Sequence, residues 1–294
     1  MPRLKLDGVL LLDKPVGPSS SAVLQAVKRL LNAEKAGHAG TLDPLASGLL
    51  PLLFGEATKF AQYGLDAAKE YVADIRLGAA TDTGDAEGQV IERRAVDVDA
   101  PRLAKALEGF RGDIAQVPPM YSALKHEGQP LYELARAGQS VDRAARRVRI
   151  HELELAGRKD DLVRLRIRCS KGTYVRQLAI DLGLALGTVA HLEALRRTAV
   201  GAFRIEQAPS LDDLQALGGT ARAALLLPPD SLLSDLPKLE LAEEQATRFM
   251  NGQVLPLDTP RGACRVYRRH GGLLGVGEIR TGSGLRPVRL IASG

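Results

Sequence analysis

The chain has 294 residues, 45% hydrophobic and 26% charged, with 40 Lys and Arg against 35 Asp and Glu for a net charge of +5. This is an ordinary globular composition, long enough for about two domains with a sizeable core, and its mild basic excess leans toward a polyanionic partner. Only two cysteines occur, Cys169 and Cys264, without ligand spacing, and no apolar run approaches the ~18 residues of a membrane span; a disulfide framework, a zinc site and a membrane protein are disfavoured, and a reducing cytosol fits.

The opening "DGVLLLDKPVGPSSSAVLQAVKRLLNA" reads as a buried strand, a Lys-Pro turn, a Ser cap and an amphipathic helix with a stripe of Val23, Leu24, Val27, Leu30 and Leu31. The run 9–12 is broken by Asp7 and Asp13, so it is no signal peptide. "LLPLLFGEATKFAQYGL" predicts a short strand leading into a helix, and "KEYVADIRLG" alternates Tyr71, Ala73, Ile75 and Leu77 as a half-buried strand does. "TDTGDAEG" is a turn, "QVIERR" a strand, and "DAPRLAKALEGF" a helix capped by Asp99 with Pro101 early.

Residues 117–149 are looser, rich in Pro, Gly and arginine, and predict an exposed insertion with a short helix. "RVRIHELELAGRKDDLVRLRIRCS" is a hairpin of two alternating strands, and "GTYVRQLAIDLGLALG" a helix with Thr173 as a possible cap. Breakers at 208–238 mark a boundary. The tail from 239 holds one helix, "LAEEQATRFMNG", and short strands, a small β-rich domain of partial-barrel type. The fold class expected is mixed α/β (α+β), with a central, largely antiparallel sheet flanked by helices.

The stretch "GHAGTLDPLASGLLPLLFGE" (37–56) carries one formal charge before Glu56, Asp43. An isolated carboxylate in so apolar a loop must stay wet, find a cation or have a task. Pro44 drives Asp43 into extended or turn geometry, so it is either a turn Asp bonding its own backbone or the acid at the floor of a pocket. A cation suited to it is Arg176, at a strand-to-helix junction; taken alone, Arg176 reads first as a surface arginine. His38 shares the loop, Tyr71 and Tyr174 read as core residues with a wet hydroxyl, and Leu195 in "HLEALRRTAV" reads as core. Asp82, Asp85 and Glu87 fail the spacing of a calcium loop. No GxSxG, HExxH or Walker motif occurs, and no cofactor is implied.

Beyond composition, "GHAGTLDPLASGLLPLLFGEATKF" closely resembles the catalytic motif of the TruB-type pseudouridine synthases. "GVLLLDKPVGPSS", "RLGAATDTGDAEG", "FRGDIAQVPPMYSALKHEGQPLYELARAG" and "CSKGTYVRQLAIDLG" resemble further family segments in family order, so the likeness spans residues 8 to about 205. It implies the pseudouridine synthase fold for residues 1–235, with 117–149 an RNA-clamping insertion, and a small PUA-like RNA-binding domain at 236–294. The implied reaction is isomerisation of a uridine in the tRNA T-loop, position 55, without a cofactor. The enzyme would act as a cytoplasmic monomer that takes the T-arm stem-loop and needs no protein partner.

By the same resemblance Asp43 is the nucleophile, acting either at C6 of uracil or at C1′ of the ribose, directly or through a glycal after loss of the C2′ proton, and Arg176 is its ion-pair partner. Tyr71 stacks on uracil and is a candidate base at C2′; His38 holds the RNA with the base flipped out; Tyr174 and Leu195 line the uracil pocket. Lys14 supports the neighbouring loop and Asp85 joins the hydrogen-bond network. Lys125, Arg136, Arg143, Arg146 and Arg147 are the phosphate-contact candidates. The competing reading from another class is an RNA-binding or RNA-folding factor acting on tRNA without chemistry.

Overall fold

The apolar run at 8–12 forms strand β1 (Gly8–Lys14), buried on both faces because it has cover above and below. The computed structural model that shows this describes residues 2–122, 124–139, 141–257, 261–280 and 284–292; the side chains of Lys125, His126, Pro130 and Arg136 lie outside that description. Ser19 caps helix α1 (Ser20–Leu30) by accepting from the Ala22 N–H, and the predicted stripe is buried except for the half-buried Leu30.

After the three-residue β2 (Ala36–His38) the chain enters β3 (Ala46–Phe54), nine residues rather than a short strand, since β1, β2 and, further along, β12 (Ala190–Val200) all pair with it. A 3₁₀ turn and helix α2 (Ala61–Asp66) lead to β4 (Lys69–Leu77), then to the hairpin β5 (Ala79–Thr81) and β6 (Val90–Arg93). Helix α3 (Ala100–Glu108) is capped by Asp99 as the sequence predicts, and β7 (Gly112–Gln116) ends at the insertion. Within the insertion stand β8 (Lys125–His126), β9 (Gln129–Pro130) and the short helix α4 (Leu131–Arg136).

The hairpin follows as β10 (Arg146–Lys159) and β11 (Leu162–Cys169). Arg146 and Arg147 pair with Gln116 and Ala115 of β7, so the hairpin read from Arg147 onward begins one residue earlier, and the overlap of the 117–149 insertion with it resolves in favour of the strand. Helix α5 (Val175–Ala185) begins at Tyr174 with no side-chain cap; Thr173 instead donates its hydroxyl to the Ser170 carbonyl. Strand β12 (Ala190–Val200) and its partner β13 (Phe203–Arg204) complete the large sheet, whose order is β1-β3-β12-β4-β11-β10-β7. Every pairing in it is antiparallel except β12 with β3.

Two apolar layers hold it. Ile75, Leu165 and Ile167 pack against Val175, Leu178 and Leu182 of α5, and Leu10, Leu50 and Leu52 pack against Val23 and Val27 of α1. At ~1.5–3 kcal/mol for each fully buried aliphatic side chain, these layers are what fix β12 and β3 side by side under the Asp43 loop.

Small helices α6 (Leu211–Ala216) and α7 (Gly219–Ala223) precede a four-stranded sheet of β14 (Lys238–Leu241), β15 (Gly262–Arg268), β16 (Leu273–Arg280) and β17 (Gly284–Leu290), with helix α8 (Glu243–Met250). Phe60, Leu233 and Val276 form an apolar cluster that joins this sheet to the first. No helix among the described residues is long and apolar enough to cross a membrane.

Candidate active site

The loop between β2 and β3 carries Asp43, and buried polar side chains hold it on three sides. Ser20, at the first turn of α1, donates its hydroxyl to the Leu42 carbonyl at 3.0 Å and accepts from the Leu42 N–H at 2.8 Å. Lys14, fully buried, donates to the carbonyls of Pro15 and Ala46 at 2.8 and 2.7 Å. Arg197, 1% exposed, donates to the carbonyls of Thr41 at 3.2 Å and Leu49 at 2.7 Å. A loop with so few ladder bonds of its own needs such partners for its peptide groups.

Gly48 shows why the strands under the loop can approach so closely. Its φ is +104°, and a Cβ there would lie 2.2 Å from the Arg197 carbonyl oxygen, so only glycine lets β3 meet β12 at this rung.

Arg176, in the first turn of α5 and 7% exposed, bonds Asp43 through Nη2. Its Nε stands 3.1 Å from an Asp85 carboxylate oxygen, and its Nη1 donates to the Thr83 carbonyl at 3.3 Å. A guanidinium fork is suited to holding two carboxylates at fixed angles. Asp85, 3% exposed, also accepts from the Thr83 hydroxyl at 2.6 Å and the Glu87 N–H at 3.2 Å. Gly84 (φ +76°) lies against the Arg176 stem: a Cβ there would be 3.3 Å from Cγ. Arg176 is thus a buried link between two acids, paired with Asp43 as the resemblance implies, and not the surface arginine that the residue taken alone suggests.

Asp43 itself differs from expectation. Its side chain is 55% exposed, so it stands at a rim rather than on a floor. Two cavities meet at Asp43 and Arg176. One, about 250 Å³, is lined by Tyr71, Tyr174, Leu195, Lys69 and Arg197. That is below the ~300–1,000 Å³ of pockets for larger ligands and suits one flat ring. The other, about 550 Å³, is bounded by His38, Asp85, Glu87, Tyr121 and Ser122. The structure thus gathers Tyr71, Tyr174, Leu195 and Arg176 around one cavity with Asp43. It sets His38 and Asp85 on the other, and keeps Lys14 beneath the loop.

Burial shapes the acidities. It pushes the Lys14 ammonium down to about 8, against the pull of Asp43, and the Lys69 ammonium also to about 8, with Arg197 adding to the effect. Lys69 is satisfied by the carbonyls of Gly64, Leu65 and Ala67 at the end of α2. The His38 imidazole is pushed below its ordinary value by burial and then by Arg197, and its Nδ1 is buried without a hydrogen-bond partner. Burial raises the phenols of Tyr71 and Tyr174.

Of the basic candidates, Arg146 and Arg147 are exposed, and Arg146 is near enough to influence Tyr174. Arg143 is half-buried, with Nε and Nη1 unbonded. Lys125 and Arg136 lie outside the described side chains.

Sequence reasoning missed Arg197, Ser20 and Gln116. Gln116, 1% exposed, accepts from the Tyr174 N–H at 3.1 Å and donates to its carbonyl at 3.3 Å, standing in for a neighbouring peptide at the start of α5. A signal for Arg197 existed: in "EALRRTA" one of two adjacent strand residues must face inward.

Residues 28–175 match the family model described as TruB family pseudouridylate synthase, N-terminal domain. The chain belongs to the TruB family. Residues 176–234 match the tRNA pseudouridylate synthase B C-terminal domain, and 237–291 the pseudouridine synthase II TruB C-terminal model. The tRNA pseudouridine synthase B of Azoarcus sp. (strain BH72) is 53% identical over 295 residues, covering 100% of this chain and 97% of that protein. That of Aromatoleum aromaticum is 54% identical over 290 residues, 98% of this chain and 94% of that one.

Among solved structures, one of an H/ACA RNP bound to a substrate RNA containing 2′-deoxyuridine superposes with a TM-score of 0.74 at 27% identity, over 97% of this chain and 85% of that one. A Cbf5-Nop10-Gar1 complex gives 0.73 at 28%, over 98% and 84%. The TruB assignment thus covers both the nine-stranded and the four-stranded sheet.

Proposed function

We propose that this TruB-family chain isomerises a uridine of tRNA to pseudouridine, at position 55 in the T-loop, with Asp43 as nucleophile. The observation that carries the reading is the arrangement at the mouth of the smaller cavity. A single exposed carboxylate, held by Arg176, faces a ring-sized space walled by an aromatic ring and an aliphatic side chain. The full-length likeness to tRNA pseudouridine synthase B proteins names the reaction to which such a site belongs.

A uridine in a folded loop is out of reach, so the base must swing out of its stack at a cost of a few kcal/mol. Stacking on the Tyr71 ring returns ~1–3 kcal/mol, and Leu195 and Tyr174 bound the ring. His38, neutral at pH 7 and beside the larger cavity, holds the RNA strand next to the flipped nucleotide. The Asp43 carboxylate then acts on the nucleoside, at C6 of the ring or at C1′ of the ribose. The C1′–N1 bond breaks, the base turns and C5 bonds to C1′; the bond to Asp43 is cleaved to return the carboxylate, C5 loses its proton and N1 gains one. Arg176 and Asp85 keep the carboxylate aimed throughout. Since Asp43 is exposed in the free protein, the RNA itself closes water out of the site.

Residues 1–235 form the catalytic unit, with 117–149 as the clamp on the T-arm and 236–294 as a second RNA contact, and the protein works as a monomer. Arg143, Arg146 and Arg147, with Lys125 and Arg136, contact phosphates. The test is chemical mapping of pseudouridine in an unmodified tRNA transcript after incubation with the protein. Modification confined to uridine 55 is expected; modification elsewhere, or none, refutes the assignment.

A further inference from the structure

Among the described residues Arg197 is the largest charged side chain hidden from water, at 1% exposure, and no carboxylate among them lies within ion-pair distance of it. Sequestering a cation costs several kcal/mol unless close partners offset it. Its partners are two backbone carbonyls, Leu49 and Thr41, and its third nitrogen, Nη2, is buried without a hydrogen bond. A residue that only stitched strands together would be better served by an aliphatic side chain.

Its position explains the exception. In the register of β12, Arg197 stands directly across from Tyr71 of β4 on one side and Gly48 of β3 on the other. The guanidinium therefore lies under the smaller cavity, with the Tyr71 hydroxyl as the side-chain group that most offsets its burial. The other titratable groups around it are Lys14, His38 and Lys69, all depressed in part by its charge. Cys169 and Asp43 face Tyr71 as well.

We propose that Arg197 is a positioning residue for the isomerisation: bonded to the Thr41 carbonyl in the Asp43 loop and paired across the strands with Tyr71, it sets the gap between nucleophile and aromatic wall into which uracil enters. The inference rests on the roles given above to Asp43 and Tyr71. Arg197 acts through both and need not touch the base. Lysine in its place keeps the charge but cannot reach Thr41 and Tyr71 together, because it lacks the fork. Glutamine keeps a donor and loses the charge.

The experiment places Arg197→Lys and Arg197→Gln in the wild-type and Tyr71→Phe backgrounds. It measures single-turnover release of tritium from a tRNA transcript labelled at C5 of uridine, together with the tRNA Kd. Expected is a Kd within about threefold of wild type and a chemical step slowed about tenfold or more by glutamine, with lysine recovering part of the loss. In the Tyr71→Phe background the same substitutions should cost less than about twofold, since residues acting as a unit are non-additive. Equal losses in both backgrounds, a loss confined to Kd, or failure of both variants to fold would assign Arg197 to stability alone and overturn the proposal. If wild type releases no tritium, the isomerase reading fails first, and the two failures are told apart.

Discussion

Asp85 stands 3.1 Å from Arg176 Nε, behind the nitrogen that holds Asp43, and it is almost wholly buried. A guanidinium between an exposed and a buried carboxylate is fixed from the rear. The Asp43–Arg176 pair thus gains a direction as well as a charge, and the exposed acid cannot carry its partner away.

Asp85→Asn should therefore leave the fold and tRNA binding intact while slowing the chemical step, by up to about 10²-fold if the Asp43 carboxylate drifts by an ångström. Asp85→Ala should in addition destabilise the protein by ~3–5 kcal/mol, because it leaves Arg176 short of a buried partner. Single-turnover rates and thermal melts check the two. Unchanged chemistry in Asp85→Asn would show that Arg176 needs no rear support.

Gly48→Ala should destabilise the protein by at least ~1–3 kcal/mol, from the positive φ alone, and more from the clash with the Arg197 carbonyl. Gly219→Ala, with ordinary backbone geometry and open space around it, should stay within about ±0.5 kcal/mol or gain slightly as the first residue of a helix. Paired melts of the two variants make the comparison.

The depressed lysines predict an alkaline response. Between about 8, where Lys14 titrates in the folded chain, and its ordinary 10.5, the unfolded chain binds more protons than the folded one. Stability from this group therefore rises with pH across that window. Lys14→Met removes the effect along with two hydrogen bonds. The melting-temperature advantage of wild type over the variant should be larger at pH 9.5 than at pH 7; a constant difference would contradict a buried, depressed ammonium.

How much of this was legible in the sequence differs by residue. Asp43 stood out because a lone charge in an apolar loop needs a reason, and Tyr71 because it begins an alternating strand. Arg197 did not, since the adjacent arginines of β12 differ only in which faces the core, and the bulge between Leu192 and Ala194 moves the buried positions from Ala190 and Leu192 to Arg197 and Ala199. Ser20 was hidden among three serines of which one caps the helix, and it is the next one that bonds Leu42. The exposure of Asp43 depends on how α1, α5 and β12 converge from 150 residues apart, which no local pattern records. Nor does local pattern show where the insertion ends: the hairpin pattern starts at Arg147, yet the charged outward face of β10 reads like a loop as far as Arg149.

Replacing Arg146 and Arg147 with glutamine should weaken tRNA binding and flatten its dependence on salt. Each lost phosphate contact removes ~0.7–0.9 from the slope of log K against log salt, the range between single-stranded and duplex segments. Filter binding across a salt series provides the slope; an unchanged slope would remove both arginines from the RNA contact surface.

The central claim is that Asp43 performs chemistry on uridine. It is tested most directly by comparing wild type and Asp43→Asn on an unmodified tRNA transcript tritiated at C5 of uridine, following label released to water and, in parallel, tRNA bound. About one equivalent released per transcript by wild type and none by the variant is expected, with both binding tRNA alike. Release by the variant at the wild-type rate would contradict the assignment of the nucleophile. Binding without release by either protein would mean that the fold serves as an RNA clamp and the isomerase reading is wrong.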